Sequence, residues 1–590
     1  MSVKVAKLRA VERTRPREAK GALFAGDAIL EIMEGYGVTD IISSPGSDWP
    51  AIWEALAKRR AQENSLPRYH NCRDETQVVA MAIGYYRATG RLPAVVLHTG
   101  VGCLHGAMAL RSAMRTFVPM VVLAGDTDCF GEDPTVDPGR QWLEQLADVG
   151  GPIKLVEPYV KWAVKVPSTT SLPMILAHAC KLALTPPYGP VVLSISMEVS
   201  FGDIPAHLMP KTGKEVSRTR PDAAAIAQVA ELLRKSRRPV IVAERAGDDS
   251  GNVARLQAVA EELAIPVVEA GRAAVNMPDD HPLHVGFDVP DACKDADLLL
   301  LVGCRAPWHP ASAEPAPTAK VVVLDEEPRA QLPMWHYRTD LFVYGNLGAT
   351  LDDLLAHLRT TEAAKKARGL AKRQHETKAR HVAVRRQYTQ IGEAAGKLPR
   401  MQDAWVSHVL GQLLPAEAIV VEETITSRFS IQNHIQRSKP GTLISKFSGG
   451  LGMGFGIALG VKIAKPERLV VALVGDGSFY YSPALACFGF MQEYVAPILL
   501  VIYDNQSYSA MRGSLLKYYP KGYAAKTGIH YGSDIKPQTD YAGLAPIFGG
   551  YGEAVEEPAK LRPALERCLK EVKRGRFAIL QAVIEEPAKS

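Results

Sequence analysis

Short continuous runs of β-branched and aliphatic residues recur along the chain, each closing on glycine or a polar turn and each followed by an alanine-rich stretch of helical period. Strands buried on both faces need such runs, and their alternation with helices predicts parallel α/β sheets. The candidates fall into three blocks. The first, 22–200, holds strands at 39–43, 94–97, 120–123 and 191–194. After a linker at 201–220, a second block over 221–361 holds 239–242, 266–268, 298–302 and 321–324. The third, 398–590, holds 419–421, 469–474, 498–503 and 577–583. The expected fold class is therefore α/β, with three doubly wound parallel-sheet domains.

Bulk properties narrow the classes of function. At 590 residues the chain is too long for one core, and a prior of roughly 150 residues per domain agrees with three blocks. The net charge of +6, from 69 basic against 63 acidic residues, is spread thinly, so no nucleic-acid surface is expected. No apolar run approaches the roughly 20 residues of a membrane span. Eight cysteines without a CxxC pair read as reduced, buried thiols of a cytoplasmic protein. Residues 1–21 read as a flexible basic tail, and 362–397 as a solvated basic helical linker carrying Lys365, Lys366, Arg368, Lys372, Arg373, Lys378 and Arg380. The alternative for that linker is a seat for a phosphate-bearing ligand such as a coenzyme A tail.

The densest chemistry lies in 468–513, which reads as strand, turn, helix, strand, turn. Gly475-Asp476-Gly477-Ser478 leaves the end of an apolar strand, where open α/β sheets bind ligands on backbone N–H groups. Asp504-Asn505-Gln506-Ser507 ends the next strand, and Asn505 lies 29 positions after Asp476 (505 minus 476), about one strand–helix–strand unit. An aspartate, an amide oxygen and a backbone carbonyl, completed by phosphate oxygens, suit octahedral magnesium. This pair of turns resembles the signature of thiamine-diphosphate enzymes, GDG followed about thirty residues later by an asparagine pair. The resemblance implies that Asp476, Asn505 and the Ser507 carbonyl hold Mg2+, and that Gly475, Gly477, Ser478 and Tyr508 contact thiamine diphosphate. Thr424 and Thr426 resemble the loop that touches its diphosphate. One departure stands: the first asparagine of the usual pair is Asp504 here.

A second set of residues carries the same resemblance. Thiamine chemistry needs a carboxyl group on the aminopyrimidine, so that the ring's amino group can serve as a base. In the family this glutamate opens a helix and precedes a GYxxATG sequence. Glu75 does so, nine positions before Gly84 (84 minus 75). The glycine-rich 448–456 resembles the segment that wedges the cofactor into its bent form, with Gly449 offering a carbonyl, Leu451 as the wedge and Met453 as the second candidate. Over about 22–585 the chain resembles the pyruvate oxidase, acetolactate synthase and benzoylformate decarboxylase branch. That implies a pyrimidine-binding domain, a central domain and a diphosphate-binding domain in this order. It also implies active sites shared between subunits of a homodimer or homotetramer. Some relatives bind a flavin in the central domain, but the glycine loop 246–251 is too weak to claim FAD.

The nearest pattern within the branch is that of benzoylformate decarboxylase, in which Ser47, His98 and His281 would meet the substrate. The implied activity is decarboxylation of a 2-keto acid, a hydroxyl or imidazole donating to the developing oxyanion. The adjacent histidine pair of pyruvate decarboxylases is missing. The alternatives are an acetolactate-synthase-like transferase (a carboligase), a 2-hydroxyacyl-coenzyme A lyase, and an inactive regulatory subunit, against which Glu75, Asp476 and Asn505 speak. The tyrosine-rich 511–541 reads as a lid.

Overall fold

The computed structural model describes residues 22–44, 46–126, 150–211, 213, 216–308, 313–326, 337–360, 369–445 and 449–585. Three parallel sheets organise it. In the first the spatial order is Arg68–Asn71, Asp40–Ser43, Ala94–Leu97, Met120–Asp126, Pro190–Ser196, Trp162–Lys165. The central sheet runs Val267–Glu269, Pro239–Ala243, Leu298–Val302, Lys320–Asp325, Leu341–Tyr344. The third runs Leu443–Ser445, Ile419–Glu423, Val470–Gly475, Leu499–Asp504, Ala578–Val583, Tyr551–Val555. Interior strands such as LLLLV at 298–302 and LLVIYD at 499–504 are buried on both faces, as continuous apolar runs demand. A small antiparallel ribbon pairs Ala22–Phe24 with Asp203–Pro205, so the segment read as a linker begins inside the first domain.

The first and third domains share one core. Helix Glu75–Thr89 crosses helix Gly454–Ala464, and Val78, Met81 and Tyr85 join Phe455, Ile457 and Leu459 in a single apolar cluster. Glycine makes the crossing this close: a Cβ on Gly84 would collide with the Ile457 carbonyl, and one on Gly460 with the Met81 carbonyl. The start of the helix bearing Glu75 is thereby fixed relative to the third sheet.

The basic helix Leu370–Ala395 is mostly exposed, with Arg373, Thr377, Gly392 and Ala395 its buried residues, but its arginines reach into the protein. Arg373 is buried and donates from Nε to the Leu263 carbonyl at 2.9 Å, while Arg380 pairs with Asp291 at 2.7 Å. Long arginine side chains reach inward from a helix whose backbone is exposed, which charge counting along the sequence does not foresee. Lys365, Lys366 and Arg368 lie outside the described residues. Farther along, Arg385 enters a buried junction with Arg272, Glu269, Asp279 and His284. Glu269, Asp279 and His284 lie close enough to share an ion, yet Arg385 donates to His284 Nδ1 at 2.9 Å. The ring proton must then sit on Nε2, the nitrogen facing the carboxylates, so it has no lone pair for a metal; two guanidinium groups supply the positive charge instead. Among the described residues no helix is long and apolar enough to cross a membrane, and seven cysteines are buried and unpaired.

Candidate active site

The sheet register builds the third-domain half. Gly475 lies opposite Tyr503, so Asp476 and Asn505 emerge side by side at the carboxyl ends of neighbouring strands. Asp476 Oδ1 accepts the Gly477 N–H at 2.8 Å, and the Ser507 N–H points at both Asp476 Oδ2 (3.2 Å) and Asn505 Oδ1 (3.0 Å). Asn505 Nδ2 donates to Ser509 Oγ at 3.0 Å, which turns the amide oxygen toward Asp476. The loop manages this turn by holding Gln506 at φ 53°, a left-handed conformation that a non-glycine residue adopts at a cost. Asp504, the departure from the asparagine pair, accepts from Gln581 Nε2 at 2.8 Å and stays buried below the loop.

These groups open onto a cavity of about 140 Å³ lined by Thr424, Thr426, Leu451, Gly475, Ser478 and Tyr508 among others. A Cβ on Gly475 would meet only open space, whereas one on Gly477 would strike the Tyr508 ring at 2.6 Å. Burial, reinforced by the charge of Asp504, pushes the Asp476 carboxyl up to about 7. The Ser507 hydroxyl is buried without a hydrogen-bond partner. A crowded acidic oxygen, an amide oxygen and one orphaned hydroxyl around a small cavity suit a hard divalent cation with a phosphate-bearing ligand.

The two wedge candidates part company. Leu451 lines the cavity, while Met453 is fully buried in the shared core. Gly449 and Gly452 take φ of 82° and 87°, so the loop needs glycine at both. Beneath it sits Glu423, which sequence reasoning missed. Its carboxylate accepts the Gly454 N–H at 2.8 Å and the Met453 N–H at 3.2 Å, and burial pushes it up to about 8.

The first-domain half is made of side chains. Asp74 caps helix Glu75–Thr89 by accepting the Gln77 N–H, and Glu75 occupies its first turn. Glu75 Oε1 accepts from Ser44 Oγ at 3.0 Å and Oε2 faces His105 Nδ1 at 2.8 Å. The hydrogen bond to Glu75 raises the His105 pKa. His98 stands beside them at the end of strand Ala94–Leu97: a Cβ at Gly102 would lie 3.4 Å from His98 and 3.5 Å from Glu75. Its Nδ1 is 2.8 Å from Asp48, a second residue missed in the sequence although it directly follows Ser47. His105 was missed as well. Ser47 is exposed on the turn before helix Pro50–Ala61. His281 is elsewhere, in the central domain, with Nε2 3.0 Å from Glu261 and Nδ1 accepting the Leu283 N–H at 3.2 Å.

The cavity lining within one chain includes no residue of the first domain, although Gly450 of the glycine-rich loop packs against Met108 and Ser112 of the helix that carries His105. Both halves of the site are flanked by exposed apolar side chains: Val101, Leu104 and Met108 at helical spacing beside Glu75, and Ile425, Phe429 and Tyr481 around the cavity. The loop 246–251 lines a larger cavity of about 530 Å³ where the three domains meet, with Arg245 over Phe117 at 4.2 Å and 3.3 Å from Asp325.

Three doubly wound sheets, a small oxygen-lined cavity on the last and an acid at a helix start on the first are the architecture expected of a diphosphate-cofactor enzyme. The chain belongs to the thiamine pyrophosphate enzymes. The family's N-terminal TPP binding domain matches 24–149, its central domain 226–354 and its C-terminal TPP binding domain 426–582. It is 28% identical to benzoylformate decarboxylase of Pseudomonas aeruginosa over 82% of this chain and 86% of that one. It is 26% identical to a probable acetolactate synthase large subunit of Methanocaldococcus jannaschii over 92% of this chain and 89% of the relative. The fold is shared with a thiamine diphosphate-dependent 4-hydroxybenzoylformate decarboxylase of Rhodococcus jostii (TM-score 0.77, 22% identity, covering 96% of this chain and 100% of that one).

Proposed function

We propose that the protein is a magnesium-dependent carbon–carbon lyase that decarboxylates a 2-keto acid. The observation that carries this is the convergence of Asp476, Asn505 and the Ser507 loop on one small cavity, complemented by a half-site where Glu75 and His98 stand together. Asp476, Asn505 and the Ser507 carbonyl would hold the cation, and the backbone N–H groups of 475–478 with Thr424 and Thr426 would meet the diphosphate. When bound, thiamine diphosphate supplies the carbon that adds to the keto group and a ring that accepts electrons from the broken bond. Glu75 sets the proton on the pyrimidine side, and Leu451 shapes the cavity. His98 and Ser47 donate hydrogen bonds to the keto oxygen as it gains charge. Because no first-domain residue lines the cavity within one chain, Glu75 acts on the cavity of a second copy, and the exposed apolar groups beside each half supply the contact in a homodimer or homotetramer.

The relation to acetolactate synthases keeps a carboligating transferase as the second reading. A coenzyme A ester is disfavoured, since Arg373 and Arg380 spend their guanidinium groups on Leu263 and Asp291. The test is a panel of 2-keto acids with thiamine diphosphate and Mg2+, scored for carbon dioxide and free aldehyde. Equimolar aldehyde and carbon dioxide is the expected result. Condensation product without aldehyde would replace the lyase by the transferase, and silence across the panel would reject both.

A further inference from the structure

The loop between strand Asp40–Ser43 and helix Pro50–Ala61 does more than present Ser47. It carries Asp48, only 2% exposed, whose Oδ2 sits 2.8 Å from His98 Nδ1 and also accepts the Thr99 N–H at 3.3 Å. The carboxylate is immobilised from two further sides. Strand Met120–Asp126 presses Gly125 so close that any Cβ there would collide with Asp48, and the neighbouring Trp49 ties the loop to the strand below His98 by donating to the Leu97 carbonyl at 2.9 Å. A carboxylate only accepts, so Nδ1 carries a hydrogen whatever the charge of the ring, and proton exchange is confined to Nε2.

We propose that Asp48 is the positioning residue of an Asp48–His98 dyad, and that His98 Nε2 is the atom that delivers a proton to the substrate. The inference rests on the substrate role given to His98 above and deepens it. In the step, the Nε2–H bond of the imidazolium breaks and the proton passes to the keto oxygen as that oxygen becomes negative. The bonding pair stays on Nε2, leaving a neutral ring whose Nδ1–H still points at Asp48. The charged groups facing His98 are Asp48 from the loop and Glu75 from helix Glu75–Thr89, with Asp74 and His105 behind Glu75. On the third packed element, Asp126 is occupied by Ser194 and Lys165. The hydrogen bond to Asp48, its charge and that of Glu75 all favour the imidazolium and together outweigh burial, so the His98 pKa is raised.

Two measurements on the holoenzyme test this. Asp48→Asn keeps the shape but can present an amide N–H to Nδ1 and loses the charge. We expect kcat to fall about 100-fold or more, as for removal of a general acid. The KM for the keto acid and the calorimetric affinity for thiamine diphosphate should stay within about threefold. The alkaline limb of the kcat profile, where the imidazolium is lost, should move to lower pH. Separately, imidazole spectra of the 15N-histidine-labelled wild type, assigned by difference from His98→Gln, should show the neutral ring protonated at Nδ1. A kcat within threefold of wild type with an unmoved limb, or a ring protonated at Nε2, would overturn the dyad. The wild-type spectrum decides the point even if the variant folds poorly. Should His98→Gln also turn over normally, the substrate role of His98 fails; a crippled His98→Gln beside a normal Asp48→Asn discards the dyad alone.

Discussion

The two halves of the site are built from different materials. In the third domain, strand ends, positive-φ glycines and aimed N–H groups shape a cavity that exists within a single chain. In the first domain, Glu75 is held by Ser44 and His105, and His98 by Asp48, all through side-chain hydrogen bonds. A cavity built of backbone suits a charged tail that is the same in every turnover, whereas titratable side chains suit protons that come and go. On the proposed function, binding and activation of the cofactor fall on separate structures.

Substitutions in the two halves should therefore fail differently, and this is the largest effect expected. Glu75→Ala should lower kcat by about 1,000-fold or more, within the range of a lost acid–base group, while calorimetry finds thiamine diphosphate bound nearly as before. Asp476→Ala should do the reverse in kind, abolishing retention of Mg2+ and cofactor, with activity returning in part at high concentrations of both. Equal loss of affinity in the two variants would erase the distinction between the halves.

Next in size is the link that holds the halves in register. At Gly460 and Gly84 the neighbour of a new Cβ is a backbone carbonyl, which cannot rotate aside as a side chain can. Gly460→Ala should destabilise the fold by about 3 kcal/mol, the upper part of the usual range for overpacking, seen as a lower urea midpoint. Gly513→Ala, where nothing lies within 4 Å of the added methyl, serves as the neutral control. A normal midpoint for Gly460→Ala would mean that the crossing is not tight.

The contrast also explains what the sequence made legible. The third-domain half follows two strand ends 29 positions apart, so its residues announce themselves in short contiguous motifs (505 minus 476). The interior strands were equally plain, because burial on both faces forces an unbroken apolar run. Edge strands were not: RYHN at 68–71 and WAVK at 162–165 are partly exposed, mix polar with apolar residues, and carry no period that separates them from loops. Asp48 and His105 stayed hidden for another reason. Their roles come from contacts 50 and 30 residues away in sequence, and an aspartate in a turn or a histidine in a helix has no mark of its own. Arg373 misled through its charge, since its burial depends on a side chain long enough to reach the Leu263 carbonyl.

The smallest effect separates the halves by acid. His434 closes helix Arg428–His434, which springs from the cavity-lining loop ending at Ser427, and burial, aided by the charge of His408, pushes it down to about 4. Unfolded, a histidine has a pKa near 6.5, so between about 6.5 and 4 the unfolded chain binds a proton that the native chain does not. Stability must therefore rise with pH across that window and fall on acidification, by about 1–2 kcal/mol between pH 6.5 and 5 for this one group. The first domain's buried counterpart behaves otherwise. Despite the opposing effect of burial, hydrogen bonds from His70 and Arg68 hold Asp40 down at about 2, so its contribution is fully present above about 4 and fades only as pH falls through 2. Hydrogen exchange at pH 5 against pH 7, corrected for intrinsic rates, should then show helix Arg428–His434 loosening while strand Arg68–Asn71 stays protected. His434→Gln should remove most of that difference. Equal loosening of both segments would mean that acid acts on the shared core rather than on the third-domain half.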